Sequence, residues 1–176
     1  MQPKLKQNWQ TSRMSETPEK PIKLQVGEKA PDFKVKTADG KDFSLADLKG
    51  KKTILWFYPA AGTSLCTVQA KDLRDNREEF EAAGYQIIGV SPDELEPIQK
   101  FIEKQNLPFT MLSDPEHTMM TDYGTWGPKN QYGKWVEGTI RSTFVIDEEG
   151  TLAFVKYRVG TPKHIETLRK ALLEDA

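Results

Sequence analysis

The chain carries a single cysteine, Cys66, and the residues leading to it are those a reactive thiol needs. An apolar run, Thr53-Ile54-Leu55-Trp56-Phe57-Tyr58-Pro59, gives way to a short loop, Ala60 to Leu65, and then to a polar stretch with helical patterning that opens at Cys66. This order predicts a buried strand, a tight loop and a thiol at the mouth of a helix. A helix N-terminus carries unpaired backbone N–H groups and a partial positive charge. Both favour the thiolate, which is the nucleophilic form of cysteine. The bland alternative is a cysteine acting as a small buried hydrophobe. With one cysteine, no disulfide can form within the chain, so an oxidised Cys66 must be resolved by a group from elsewhere. Other chemistries find little support. His117 and His164 lack ligand spacing to each other, to a carboxylate or to the thiol, so no metal site is predicted. There is no Cys-x-x-Cys pair and no glycine-rich phosphate loop. The run Lys49-Gly50-Lys51-Lys52 reads as a solvated basic turn.

The elements that must position Cys66 follow from the patterning. Phe33, Val35 and Thr37 alternate, Asp39-Gly40 turns the chain, and Asp42-Phe43 returns, which predicts an N-terminal hairpin. Ser44 to Leu48 reads as a capped helical turn ending at Gly50. The run over 53–58 has the continuous apolarity of a strand buried on both faces. A helix is predicted from about Cys66 to Ala83, closing at Gly84, with Val68, Leu73, Phe80 and Ala83 inward. Residues 85–90 form a second buried strand, and strand–helix–strand with short connections is a right-handed βαβ unit. Ser91 is a candidate cap for a further helix that buries Ile98, Phe101 and Ile102. A short strand over 109–112, a short helix over 115–123, a hairpin turning at Glu148-Glu149-Gly150 and an amphipathic helix over 163–173 complete the pass. The fold class expected is α/β and thioredoxin-like: a mixed central sheet flanked by helices, with an added N-terminal β-hairpin.

At 176 residues the chain is long enough for one domain plus some additional chain. Its 26 acidic and 25 basic residues are mixed along the sequence and give a net charge of -1, which argues for neither a nucleic-acid nor a membrane partner. Residues 1–23 are expected to be a flexible tail and 24–176 the folded domain. Met1 to Ser15 carries Lys4, Lys6 and Arg13, no acid and no apolar core segment. A secretory signal is therefore not expected, and the location expected is cytoplasmic. The basic, acid-poor start bears a faint similarity to an organelle transit peptide, and Met14 would also make a natural start.

Pro59, Thr63 and Cys66 form Pro-x-x-x-Thr-x-x-Cys after an apolar strand, which resembles the peroxiredoxin signature. The flanking Phe57-Tyr58-Pro59 and Cys66-Thr67-Val68-Gln69-Ala70 are similar to the bacterioferritin comigratory protein branch, also called PrxQ. Leu112-Ser113-Asp114-Pro115 and Gly138 to Asp147 stand in the order that family would have them. The resemblance spans about residues 24–173. Two departures are evident. The branch often has a second cysteine five residues after the first, where this chain has Lys71, and none occurs on the next long helix. The Pro-Gly that usually precedes the cysteine is Ser64-Leu65.

The resemblance implies thiol-dependent reduction of hydrogen peroxide and organic hydroperoxides without a cofactor, as in a thioredoxin-dependent-type peroxiredoxin. Cys66 would be the peroxidatic nucleophile and would pass through a sulfenic acid. Thr63 would accept from the peroxide O–H. Arg141, on a strand lying beside the active-site strand in that fold, would donate to the sulfur and to the developing negative charge. Pro59 would shield the sulfur, Gln69 would orient Arg141, and Tyr58 and Trp126 would support the pocket. Taken alone, Thr63 reads equally as a helix cap, Arg141 as a surface charge, and Tyr58 and Trp126 as packing. Without a resolving cysteine the cycle would need an external thiol: thioredoxin, glutaredoxin or a small thiol. The chain would act as a monomer or weak homodimer. The competing readings are a redox sensor or binding module that uses Cys66 oxidation with little turnover, and a thioredoxin-fold domain whose cysteine is incidental.

Overall fold

The computed structural model describes residues 22–131, 133–160 and 163–174. The expected tail over 1–23 therefore lies almost wholly outside the described residues. At its near end, the Leu24 N–H donates to Tyr157 Oη at 2.9 Å. The element order is β1 (Lys34–Thr37), β2 (Asp42–Ser44), β3 (Lys52–Phe57), α1 (Ser64–Ala82), β4 (Tyr85–Ser91), α2 (Leu95–Gln105), β5 (Thr110–Ser113), α3 (Thr118–Asp122), β6 (Trp126–Gln131), β7 (Lys134–Thr139), β8 (Ser142–Ile146), β9 (Leu152–Tyr157) and α4 (His164–Arg169). A 3-10 turn at Leu45–Leu48 follows β2, and the Asp47 carboxylate accepts from the Ser44 N–H at 2.8 Å.

Seven strands form one sheet in the order β2-β1-β5-β4-β3-β8-β9. β3 and β4 pair in parallel, as do β4 and β5, whereas β1–β2, β1–β5, β3–β8 and β8–β9 are antiparallel. This is the mixed, thioredoxin-like sheet with an N-terminal hairpin. β3 lies inside the sheet, and Thr53 to Tyr58 are all buried, which accounts for the unbroken apolar run. Its even residues, Ile54, Trp56 and Tyr58, pack with α1, α2 and α4 on one face. Its odd residues, Leu55 and Phe57, join Phe33, Tyr123 and Phe144 on the other. The period of two in a strand sends adjacent side chains to opposite faces.

Several details depart from the sequence reading. The helix α1 begins at Ser64 rather than Cys66, and Val68 points outward with 45% exposure. Leu73 and Phe80 are buried as expected. Ser91 caps nothing: it closes β4, and α2 begins only at Leu95 with Glu94 at the cap position. The β6–β7 hairpin, a separate two-stranded sheet, has no counterpart in the sequence reading. Its strands are rich in exposed polar residues and show no one-sided apolar alternation, so the usual strand signal is absent.

Candidate active site

The site forms where β3 ends and α1 begins. Thr63 occupies the helix N-cap in an extended conformation, with φ -75° and ψ 160°. Its side chain does not cap the helix; the hydroxyl donates instead to the Ala60 carbonyl at 2.9 Å. With its proton committed, Thr63 Oγ1 is left as an acceptor. The first helical bond runs from the Thr67 N–H to the Thr63 carbonyl at 2.9 Å. The N–H of Cys66, in the first turn, has no intrahelical partner and remains a donor. Gly62 adopts φ +84°, which an L side chain rarely tolerates, and this lets the loop fold tightly onto the helix start. Asp93 ties the loop down: its Oδ2 accepts from the Ala61 N–H at 2.6 Å and from Ser91 Oγ at 2.9 Å. The sequence reading missed Asp93, because a carboxylate just beyond a strand looks like an ordinary turn residue.

Arg141 arrives from the start of β8, the strand that flanks β3 on the side away from β4. The β3–β8 register sets Phe57 opposite Ser142, so Arg141 lies across from the end of β3. Its Nη1 is 3.3 Å from Cys66 Sγ and donates to Gln69 Oε1 at 2.9 Å. Gln69 Oε1 also accepts from Trp56 Nε1 at 3.0 Å. The chain Trp56–Gln69–Arg141 thus fixes the guanidinium against the sulfur. Trp56 can lie there because its neighbour on β4 is Gly89; a Cβ on Gly89 would stand 3.1 Å from the indole and 2.9 Å from Met111. Gln69 and Cys66 are both fully buried.

A cavity of about 500 Å³ opens beside this group, walled in part by Pro59, Thr63, Leu65 and Arg141. Of the other predicted site residues, Tyr58 is buried beneath the loop, stacked on Trp56 at 4.4 Å and tilted against Phe101. It supports the site and does not line the cavity. Burial pushes its phenol strongly up, so it is neutral at all working pH values. Trp126 is not at the site. It stacks on His117 at 3.5 Å and packs with the cluster on the opposite face of the sheet. The polar cavity residues Lys129, Thr139 and Arg158, and the apolar Leu65, Ile140 and Val159, are not among the site residues expected from the sequence. Among the described residues no group of three or more His, Cys, Asp or Glu is placed to hold a metal ion, and no helix is long and apolar enough to cross a membrane. Lys71, where the branch often has a second cysteine, is exposed on α1.

Comparison with known proteins agrees with this geometry. Residues 26–155 match the model of the AhpC/TSA family. The chain is 46% identical to a putative peroxiredoxin of Mycobacterium tuberculosis over 87% of its own length and 98% of the relative's. It is 39% identical to Peroxiredoxin Bcp of Escherichia coli over the same shares of the two chains. A serine mutant of Xanthomonas campestris Peroxiredoxin Q superimposes with a TM-score of 0.79 at 29% identity, covering 87% of this chain and all of that one. Serine mutants of two different cysteines of that protein are among the similar structures. The chain therefore belongs to the AhpC/TSA family, within its bacterioferritin comigratory protein (PrxQ) branch, and is a peroxiredoxin, a thiol-dependent peroxidase.

Proposed function

We propose that this peroxiredoxin reduces hydrogen peroxide and organic hydroperoxides by a one-cysteine cycle in which an external thiol regenerates Cys66. The observation that carries the reading is the Arg141 Nη1–Cys66 Sγ contact at 3.3 Å in a chain with no second cysteine. The Cys66 thiolate attacks the terminal peroxide oxygen, the S–O bond forms as the O–O bond breaks, and the departing alkoxide or hydroxide takes up a proton to leave as alcohol or water. Negative charge moves from sulfur to the leaving oxygen. Arg141 and the Cys66 N–H can follow that charge, and a preorganised donor of this kind contributes about 3–4 kcal/mol at a transition state. Thr63 Oγ1 accepts from the peroxide O–H and so orients the oxygen under attack. Pro59 shields the sulfur, while Gln69 and Tyr58 hold the site from beneath.

The sulfenic acid cannot condense within the chain. A thiolate from outside attacks its sulfur, hydroxide leaves as water, and a mixed disulfide forms; a second thiol then releases Cys66 and departs as a disulfide. Thioredoxin, glutaredoxin and small thiols all meet that requirement. A monomer or weak homodimer is sufficient, since one chain holds the whole site. A reducing compartment such as the cytoplasm keeps the lone thiol available.

Mass spectrometry after a peroxide pulse with a small thiol tests the cycle. The expected product is a Cys66 mixed disulfide that further thiol removes. Turnover through Cys66–Cys66 dimers would overturn it. Oxidation of Cys66 without steady-state peroxide consumption, whatever the thiol, would favour the redox-sensor reading instead. Repeated peroxide doses without thiol should convert Cys66 to sulfinic acid, because no internal cysteine intercepts the sulfenic acid.

A further inference from the structure

The cavity beside Cys66 carries more positive charge than the sulfur chemistry uses. Lys129, Arg141 and Arg158 all line it, and no carboxylate does. Arg141 is engaged with Cys66 and Gln69. Neither Lys129 nor Arg158 forms a salt bridge among the described residues.

The Lys129 side chain and the Arg158 backbone are held in place. Lys129 lies on β6 opposite Val136, and its stem leans along β7 over Gly138. A Cβ on Gly138 would stand 3.1 Å from Lys129 Cε, so the glycine leaves room for the stem. Lys129 Nζ then donates to the Thr139 carbonyl at 2.9 Å, which leaves two ammonium protons for another partner. Burial, with Arg141 and Arg158 nearby, holds the ammonium below its ordinary range, so an added anion would relieve the group.

Arg158 follows β9 in the left-handed region, at φ 59°. That conformation is unfavourable for an L residue. The next residue, Val159, donates its N–H to the Arg141 carbonyl at 3.0 Å, so the turn presenting Arg158 is anchored to the catalytic arginine. Non-glycine residues held this way cluster at functional sites. Leu65, Ile140 and Val159 add apolar wall between the cations and the sulfur's surroundings.

We propose that Lys129 and Arg158 form a carboxylate subsite, so that Cys66 meets reaction partners bearing a carboxylate joined by a short apolar linker to the reacting oxygen or sulfur. This rests on the one-cysteine peroxidase reading for its use in the reaction, though not for binding itself. Two sources share the chemistry: an anionic hydroperoxide and an anionic thiol reductant.

Binding is tested without turnover by titrating hexanoate, and separately hexanol, into ¹⁵N-labelled Cys66→Ser protein. Hexanoate should shift the amide signals of Ile140, Arg158 and Val159, with hexanol at least about 10-fold weaker, as expected for a charge-assisted contact. Adding Lys129→Gln and Arg158→Gln should abolish the hexanoate shifts, while Lys129→Arg should keep them; the spectrum itself reports whether each variant is folded. Equal titration by the two probes, or hexanoate shifts that survive the double substitution, overturns the subsite. Two kinetic pairs on the unsubstituted protein identify the source. A hydroperoxyalkanoate oxidising Cys66 faster than its methyl ester assigns the subsite to the peroxide. Thioglycolate reducing the sulfenic acid faster than β-mercaptoethanol assigns it to the reductant. Equal rates within both pairs overturn its role in the reaction. Absence of turnover with every thiol would refute the one-cysteine cycle and leave the hexanoate titration to decide the subsite.

Discussion

β3 separates two surroundings that differ by one residue of register. On the face of Trp56 and Tyr58 lie the sulfur, the arginine and all three buried side-chain atoms without a hydrogen-bond partner among the described residues: Tyr58 Oη, Gln69 Nε2 and His164 Nδ1. On the face of Leu55 and Phe57 lies an aromatic cluster whose polar ends are closed. Tyr123 Oη donates to the Pro31 carbonyl at 2.8 Å, and Tyr157 Oη to the Tyr123 carbonyl at 2.7 Å. Phe144 packs edge-on against Phe57, Tyr123 and Tyr157. Buried polar atoms without partners cost stability and are scarce in folded proteins. They gather on the face that carries Cys66, while the aromatic face closes its polar ends.

Substitutions on the two faces should therefore fail differently. Cys66→Ser should cut peroxide consumption by at least about 10³-fold, since the nucleophile is gone, and leave the thermal midpoint nearly unchanged. Arg141→Met should slow Cys66 oxidation by roughly 10²–10³-fold, the usual loss when one transition-state donor is removed, with stopped-flow oxidation as the readout. Phe144→Ala should reverse the pattern. It should cost about 3–5 kcal/mol of stability in urea melts, as for other large buried aromatics, with an unaltered oxidation rate per folded molecule. A rate loss in the Phe144 variant as deep as that of Arg141→Met would erase the distinction.

The pH dependence of stability should carry opposite signs on the two faces. His164 is buried, pairs through Nε2 with Thr143 Oγ1 at 2.8 Å, and burial lowers its pKa to about 4. As pH falls below the ordinary histidine value, the unfolded chain gains a proton that the folded chain refuses. Stability is thus lost between about pH 6.5 and 4, by roughly 3 kcal/mol in total. Asp114, beside α3, is shifted the other way: burial raises its carboxyl, and the N–H groups of Met120 and Met119 only partly offset this. Its folded form holds a proton more tightly than its unfolded form, so acid favours the folded state through this group. Urea melts at pH 7 and pH 4.5 should show His164→Gln flattening the acid loss and Asp114→Asn steepening it. A His164 variant that keeps the full slope would remove histidine as the cause.

Much of this arrangement is legible in the sequence. The unbroken run from Thr53 to Tyr58 marks an interior strand, the Asp39-Gly40 turn marks the hairpin, and the spacing of Pro59, Thr63 and Cys66 marks the site. What escapes is whatever depends on long-range register. Arg141 reaches Cys66 only because β8 pairs with β3, and the resemblance to a family supplied that neighbour where local patterning could not. The resemblance implies a pocket role for Trp126, which instead packs on the opposite face, because an aromatic residue at a strand start carries no sign of which face it joins. Val68 is expected inward, but the buried face of α1 carries Cys66, Gln69, Ala70, Leu73 and Phe80, and Val68 lies on the opposite side of the helix. The polar β6–β7 hairpin hides Lys129, since it buries too little for a periodic signal.

The smallest expected effect makes the finest test of the two faces. Tyr58 and Tyr123 are both fully buried and each differs from phenylalanine by one hydroxyl. Tyr58 Oη lies near Ser91 but forms no well-shaped hydrogen bond, whereas Tyr123 Oη satisfies the Pro31 carbonyl. Removing a hydroxyl that is desolvated and unpaired returns its burial cost, while removing a paired one leaves a carbonyl behind. Tyr58→Phe should therefore be neutral or stabilising by a few tenths of a kcal/mol, and Tyr123→Phe destabilising by about 1 kcal/mol. Equal losses in urea melts would mean that the Tyr58 hydroxyl is as well satisfied as that of Tyr123. The contrast between a closed aromatic face and an open catalytic one would then rest on Gln69 and His164 alone.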